Sequence, residues 1–183
     1  MTGERVELVA ETMVAGGDAL ARTDDGRVVF VAGGLPGERL AVEVVERHRD
    51  FWKGVAVDVI EPSPHRVAPP CPMLADGCGG CQWQHVAVDA QRELKEQIVR
   101  DALRRIAHIA APPMAPTIAL PAAGYRTTAR FGVEPGGVLG FRRRHGHDLI
   151  DPSGCLVLHP GLDALLGGVR FPTAREVTLR IGE

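Results

Sequence analysis

Through most of the first sixty residues apolar and polar positions alternate with a period of two, the pattern of half-buried strands and not of helices. RVELVAE, from Arg5, alternates in part. Gly16-Gly17 and Asp25-Gly26 punctuate the stretch that follows, and Asp-Gly between two extended runs is a hairpin signal. LPGERLAVEVVERHR sets Leu40, Val42 and Val44 against Ala41, Glu43 and Val45. FWKGVAVDVIEPS places Val55, Val57 and Val59 on one face, with Ala56 and Asp58 opposite. About five short strands in this space predict a small OB-like barrel, with an SH3-like barrel or an open meander as the alternatives.

Pro62, Pro64, Pro69 and Pro70 end the barrel and form a stiff, extended connector. From Asp89 to about Ala110 the pattern becomes helical. Leu94, Ile98, Val99, Ala102, Leu103 and Ile106 form one apolar stripe, and the charged residues lie mostly outside it. Asp89 is the expected N-cap, and Pro112-Pro113 stop the helix. Residues 124–160 look extended again, with a Pro135-Gly136-Gly137 turn, and VTLRI near the end is one more strand. The expected fold is mainly β with α+β. An N-terminal OB-like five-stranded barrel spans residues 1–62, and a small α+β domain spans 63–183 with its helix at about 89–110.

Of the 183 residues, 45% are hydrophobic and 24% charged, the balance of a globular chain and not of a disordered one. Apolar runs fall short of the roughly 20 residues that cross a bilayer. MTGERVELVAETMV puts acids where a signal peptide needs an uninterrupted apolar stretch. The expectation is a cytoplasmic, non-membrane protein, and a monomer. The formal net charge of -2 is unevenly spread: residues 1–64 hold 7 basic and 12 acidic side chains, residues 65–183 hold 14 and 11. Arg126, Arg130, Arg142, Arg143 and Arg144 fall between Tyr125 and His147 against Glu134 alone, so an anionic partner is expected at the second part. In the acidic barrel, contact with an anionic partner would need Arg22, Arg27, Arg47, Arg49 and Lys53 to gather on one face; otherwise the barrel serves as an arm.

Three of the four cysteines, Cys71, Cys78 and Cys81, lie within eleven positions, and Cys155 follows 74 residues after Cys81. A Cys-x2-Cys turn places two sulfurs on one centre, and Gly79-Gly80 lets the backbone curl closely and point N–H groups at sulfur. Disulfides, structural zinc and an iron–sulfur cluster all remain open on spacing. A cytosolic setting disfavours the first, and a three-plus-one arrangement suits the last better than zinc's usual two Cys-x2-Cys pairs.

Several segments resemble the RNA uracil-5-methyltransferase family. Gly33-Gly34-Leu35-Pro36-Gly37-Glu38 after a Val-Phe-Val strand resembles its TRAM domain, and the likeness continues from Pro62 through Pro72. Cys78-Gly79-Gly80-Cys81-Gln82-Trp83-Gln84-His85 is similar to that family's cluster loop, and Gln91 with Lys95 fits the helix that follows. Tyr125-Arg126, Ala129-Arg130, Leu139-Gly140-Phe141-Arg142 and Cys155 resemble the segment bearing a fourth ligand. The likeness covers nearly the whole chain in order.

The resemblance implies a TRAM barrel that helps hold RNA, then a domain carrying a 4Fe–4S cluster on Cys71, Cys78, Cys81 and Cys155. Six residues separate Cys71 from Cys78 where the family usually has five. The family's C-terminal domain, which binds S-adenosylmethionine and supplies the nucleophilic cysteine, is expected to be absent, so no catalytic residue is expected in this chain. The expected function is the RNA-binding, cluster-bearing portion of an S-adenosylmethionine-dependent methyltransferase acting on rRNA or tRNA. The alternative is a stand-alone, non-enzymatic RNA-binding module with a four-cysteine zinc or structural cluster site. Arg126, Arg130, Arg142, Arg143 and Arg144 are the expected phosphate contacts. Phe131, Phe141 and Trp83 are candidates for base stacking, with core packing as the competing role for the phenylalanines and cluster shielding for Trp83.

Overall fold

The alternating strands of the first sixty residues close on themselves. In the computed structural model, which describes residues 4–144 and 146–182, β1 (Arg5–Met13), β2 (Asp18–Arg22), β3 (Val28–Ala32), β4 (Arg39–Arg47) and β5 (Phe51–Glu61) form a closed barrel in the order β1-β2-β3-β5-β4. β3 and β5 run parallel and the other neighbours antiparallel. The expected OB-like five-stranded barrel is therefore present. Its interior is built from alternate residues: Leu8 and Ala10, Ala19 and Ala21, Val29 and Val31, and Leu40 and Val42, all buried.

β5 departs from strict alternation. Val55 and Val57 are exposed, whereas Gly54 is buried and Ala56 and Val59 pack against the core. Val42 faces Ala56 while Ala41 faces Asp58, so Val57 is an extra residue that switches which side of the strand points inward. The expectation that Val55, Val57 and Val59 share one face fails at this bulge.

Two compact units divide the chain, Met1–Ala68 with Gln82–Thr117, and Pro69–Cys81 with Ile118–Glu183. The division does not fall at residue 62, because the helix belongs with the barrel. α1 (Val88–Arg105) presents Ala90, Leu94 and Ile98 to the barrel core, joined by Val86 and Trp83. It starts one residue before Asp89 and ends before Ala110. Its N-cap is Ala87, which has no side-chain capping bond, and Asp89 sits in the first turn. Val99 and Ile106, at the far edge of the expected stripe, are exposed. Residues 65–67 tie down the start of the helix, with Val67 N–H donating to the His85 carbonyl at 3.0 Å and Ala87 N–H to that of His65 at 2.9 Å. Glu38, fully buried in this unit, is paired with Arg66.

The second unit is a four-stranded sheet with one short helix, an α+β arrangement. β6 (Thr128–Val133), β7 (Leu139–Arg142), β8 (Leu149–Ile150) and β9 (Glu176–Arg180) lie in the order β8-β7-β6-β9. Ala129, Phe131, Leu139 and Phe141 form the buried side of this sheet, and α2 (Pro160–Leu166) contributes Leu162 and Leu166 to the same core. Among the described residues no helix is long and apolar enough to cross a membrane.

Candidate cysteine site and arginine face

The cysteine loop is shaped by its own backbone and by β7. After Cys71 a short 3-10 turn (Pro72–Leu74) brings Cys78 N–H to the Met73 carbonyl at 2.9 Å. The loop then runs antiparallel to the arginine run: Cys78 bridges Arg143, Gly79 N–H donates to the Arg142 carbonyl at 3.1 Å, and Arg144 N–H to the Gly77 carbonyl at 2.9 Å. This approach needs Gly79, since a Cβ there would stand 3.1 Å from the Arg142 oxygen and 3.3 Å from the Arg144 nitrogen. Gly80 N–H points at the Cys78 sulfur, 3.4 Å away.

All four cysteines belong to this unit, and none of them is in a disulfide. Cys71 and Cys78 are buried; Cys81 and Cys155 are half-buried. Burial pushes the Cys78 thiol up, the Gly80 N–H pulls it back, and the charges of Cys81, Cys155 and Cys71 push it up again. Cys155 packs against the same buried cluster that includes Cys78. Among the described residues, no three His, Cys, Asp or Glu side chains are placed to hold a single metal ion.

Four of the five arginines separate into two roles. Arg126 is half-buried and donates through Nη2 to the Gly80 carbonyl at 3.1 Å, and Arg143 donates through Nη1 to the Asp76 carbonyl. Both therefore brace the cysteine loop. Arg130 on β6 and Arg142 on β7 converge on Glu176 of β9, Arg142 at 3.6 Å. The hydrogen bond from Arg130, joined by the charges of both arginines, outweighs desolvation and holds the Glu176 carboxyl below the usual range. Arg142, Arg143 and Arg144 are all exposed, which goes beyond the expectation that three consecutive arginines on an extended segment cannot all be buried. Arg142 Nη1 also lies 3.4 Å from His147 Nδ1, while His145 lies outside the described residues.

The expected stacking residues are engaged elsewhere. Phe131 is fully buried and stacks on Phe141 with ring centroids 4.9 Å apart, so both are core residues. Trp83 packs with the barrel core and carries Lys95 Nζ 5.4 Å above its ring. On the barrel, Arg27 and Arg47 cover Trp52 at 5.0 and 4.6 Å. Arg22, Arg49 and Lys53 are paired with Glu11, Asp50 and Glu46, so no uncompensated basic stripe is present among these described residues. Sequence reasoning missed Glu176, the counter-ion of the arginine face, and Glu38 with Arg66. A carboxylate at the end of a turn leading into an apolar strand was the available signal for Glu38.

The barrel defines a class. Residues 1–57 match the family model of the TRAM domain. Over 93% of its length the chain is 37% identical to an uncharacterized RNA methyltransferase of Gloeobacter violaceus, covering 38% of that protein. It is also 42% identical over 91% of its length to the 23S rRNA (uracil(1939)-C(5))-methyltransferase RlmD of Halomonas elongata, covering 35% of it. The chain thus spans little more than a third of the length of these relatives. Its fold resembles that of the tRNA (uracil-54, C5)-methyltransferase of Pyrococcus abyssi, crystallised with S-adenosyl-L-homocysteine. That likeness has a TM-score of 0.54 and 23% identity, and covers 87% of this chain and 35% of the other.

Proposed function

We propose that this chain is the RNA-holding and cluster-bearing portion of a cytoplasmic, S-adenosylmethionine-dependent RNA (uracil-5-)-methyltransferase acting on rRNA or tRNA. The observation that carries this reading is similarity to RNA methyltransferases along nine-tenths of the chain, from the TRAM barrel through all four cysteines. Methyl transfer belongs to the parent enzyme, and the residues here have the tasks of holding RNA and holding the fold.

The four sulfurs fit a 4Fe–4S cluster by their chemistry. They are unbridged thiols of one compact unit, with a backbone N–H on the Cys78 sulfur. Cys71, Cys78, Cys81 and Cys155 would hold the cluster, which supplies four strong bonds tying residues 71–81 to residue 155. Arg126 and Arg143 orient the loop that carries these ligands. Arg130, Arg142 and Arg144 supply the exposed positive charge for phosphates, which position RNA without reading its sequence.

Iron, zinc and acid-labile sulfide analysis on protein purified without oxygen tests the assignment. About four irons and four sulfides per chain, with visible absorption, are expected. One zinc and no sulfide would overturn the cluster and favour a plain RNA-binding module.

A further inference from the structure

Three rings gather on the outside of the barrel where β3, β5 and the β4–β5 turn meet. Phe30 is an outward position of β3, between the buried Val29 and Val31. Phe51 opens β5, and His48 stands in the turn before it. Phe30 and Phe51 meet edge to face with centroids 5.4 Å apart, and His48 stacks on Phe51 at 4.5 Å. Phe30 and Phe51 are half-buried and His48 is exposed. Beside its stack on Phe51, the imidazole meets Glu46 Oε2 through Nε2 at 3.0 Å.

The neighbouring Trp52 is different in kind. It packs against the core and is covered by Arg27 and Arg47, so these two guanidiniums complete the barrel's end. At the rim of the ring cluster stand Arg49 and Lys53, matched by Asp50 at 3.1 Å and Glu46 at 3.0 Å. The patch is therefore aromatic with its charges balanced.

We propose that Phe30, Phe51 and His48 form a stacking platform for unpaired RNA bases. The proposal deepens the reading of this chain as RNA-holding and rests on it. OB-like barrels carry oligonucleotides on the strand 2–3 face and on the loops joining strands 1–2 and 4–5; Phe30 and His48 occupy that face and that second loop. Aromatic faces accept every base, whereas a duplex keeps its base faces stacked. Balanced charge makes this contact insensitive to salt, unlike a phosphate contact, and that separates it from the arginine face of the second unit.

The test is fluorescence anisotropy on the full chain with a short labelled oligouridine, an abasic ribose-phosphate oligomer of equal length, and a duplex. Phe51→Leu, which keeps an apolar side chain on the barrel, and His48→Ala, at an exposed position, should each weaken oligouridine binding roughly five-fold or more. Neither should change binding of the abasic oligomer or the salt dependence. Variants that bind oligouridine like the parent, while Arg130→Ala with Arg142→Ala loses it, would overturn the platform and leave the RNA-holding reading intact. A parent chain that binds none of the three RNAs overturns both.

Discussion

The buried carboxylate of Glu38 receives Nε and Nη2 of Arg66 at 2.5 and 2.6 Å, a fork on a fork. The same Nη2 reaches the Gly33 carbonyl at 2.6 Å, and the Leu35 and Ser63 N–H groups complete the carboxylate's bonds at 2.9 and 3.1 Å. Two segments far apart in the chain are tied through one acid. Removing the cation leaves that acid buried and poorly compensated, so Arg66→Ala should cost about 3 kcal/mol in urea unfolding. Arg66→Lys should recover only part, since a point charge cannot reproduce the fork. A loss of about 0.5 kcal/mol would place the pair among ordinary surface contacts.

Acid stability should depend on the same group. Burial pushes the Glu38 carboxyl up, but the Arg66 hydrogen bonds, the two N–H groups and the Arg66 charge outweigh it and hold it below the ordinary carboxylate range. The unfolded chain therefore takes up the proton first. The contribution is present above the unfolded carboxylate's pKa and is lost as pH falls through the depressed folded value. Urea midpoints measured from neutral pH into acid should fall more steeply for the parent than for Glu38→Gln.

Gly54 of β5 pairs with Val44 of β4 and lies against the Val42 side chain. A Cβ there would clash with Val42 Cγ1 and stand 3.0 Å from the Glu43 carbonyl oxygen. Gly54→Ala should destabilise the barrel by about 1–3 kcal/mol through overpacking. Val42→Ala in the same chain should relieve part of it, giving a non-additive double-mutant cycle in thermal unfolding.

The arginines should divide by assay. Arg130→Ala and Arg142→Ala should each lower the salt slope of RNA binding by roughly one phosphate contact. Arg126→Ala and Arg143→Ala should instead lower metal content and leave the slope unchanged, because they hold the loop's carbonyls. Glu176→Gln should strengthen RNA binding by releasing both arginines. Weaker binding by that variant would remove Glu176 as their counter-ion.

Cys78→Ser should lose iron and sulfide together with solubility, because ligands couple metal binding to folding. Chelation of the parent under reducing conditions should reproduce the effect in the second unit's thermal transition. Parental cofactor content in Cys78→Ser would refute the ligand assignment.

Much of this was legible in the chain itself. Strand alternation in β4 needs only near neighbours, and Leu40, Val42 and Val44 point inward as their spacing demands. β5 defies the same reading because the bulge at Val57 is imposed by pairing with β4, a relationship no local window contains. α2, of seven residues behind His159, is too short to carry a periodic signal. At the site, the spacing of four cysteines was visible, and so was the positive segment. Which arginines face outward and which hold carbonyls depends on the antiparallel contact between residues 77–79 and 142–144, which only the folded chain makes.

The path of the chain through the two units bears on the order in which they are completed. The first unit takes residues up to Ala68, yields Pro69–Cys81 to the second, and resumes at Gln82. During synthesis the strands of the barrel emerge well before α1, yet Val86 and Ala90 belong to its core. The barrel must therefore wait, partly uncovered, with the first three cysteines already made and Cys155 still to come. Newly made chains should be most vulnerable to proteolysis and mispairing in this interval.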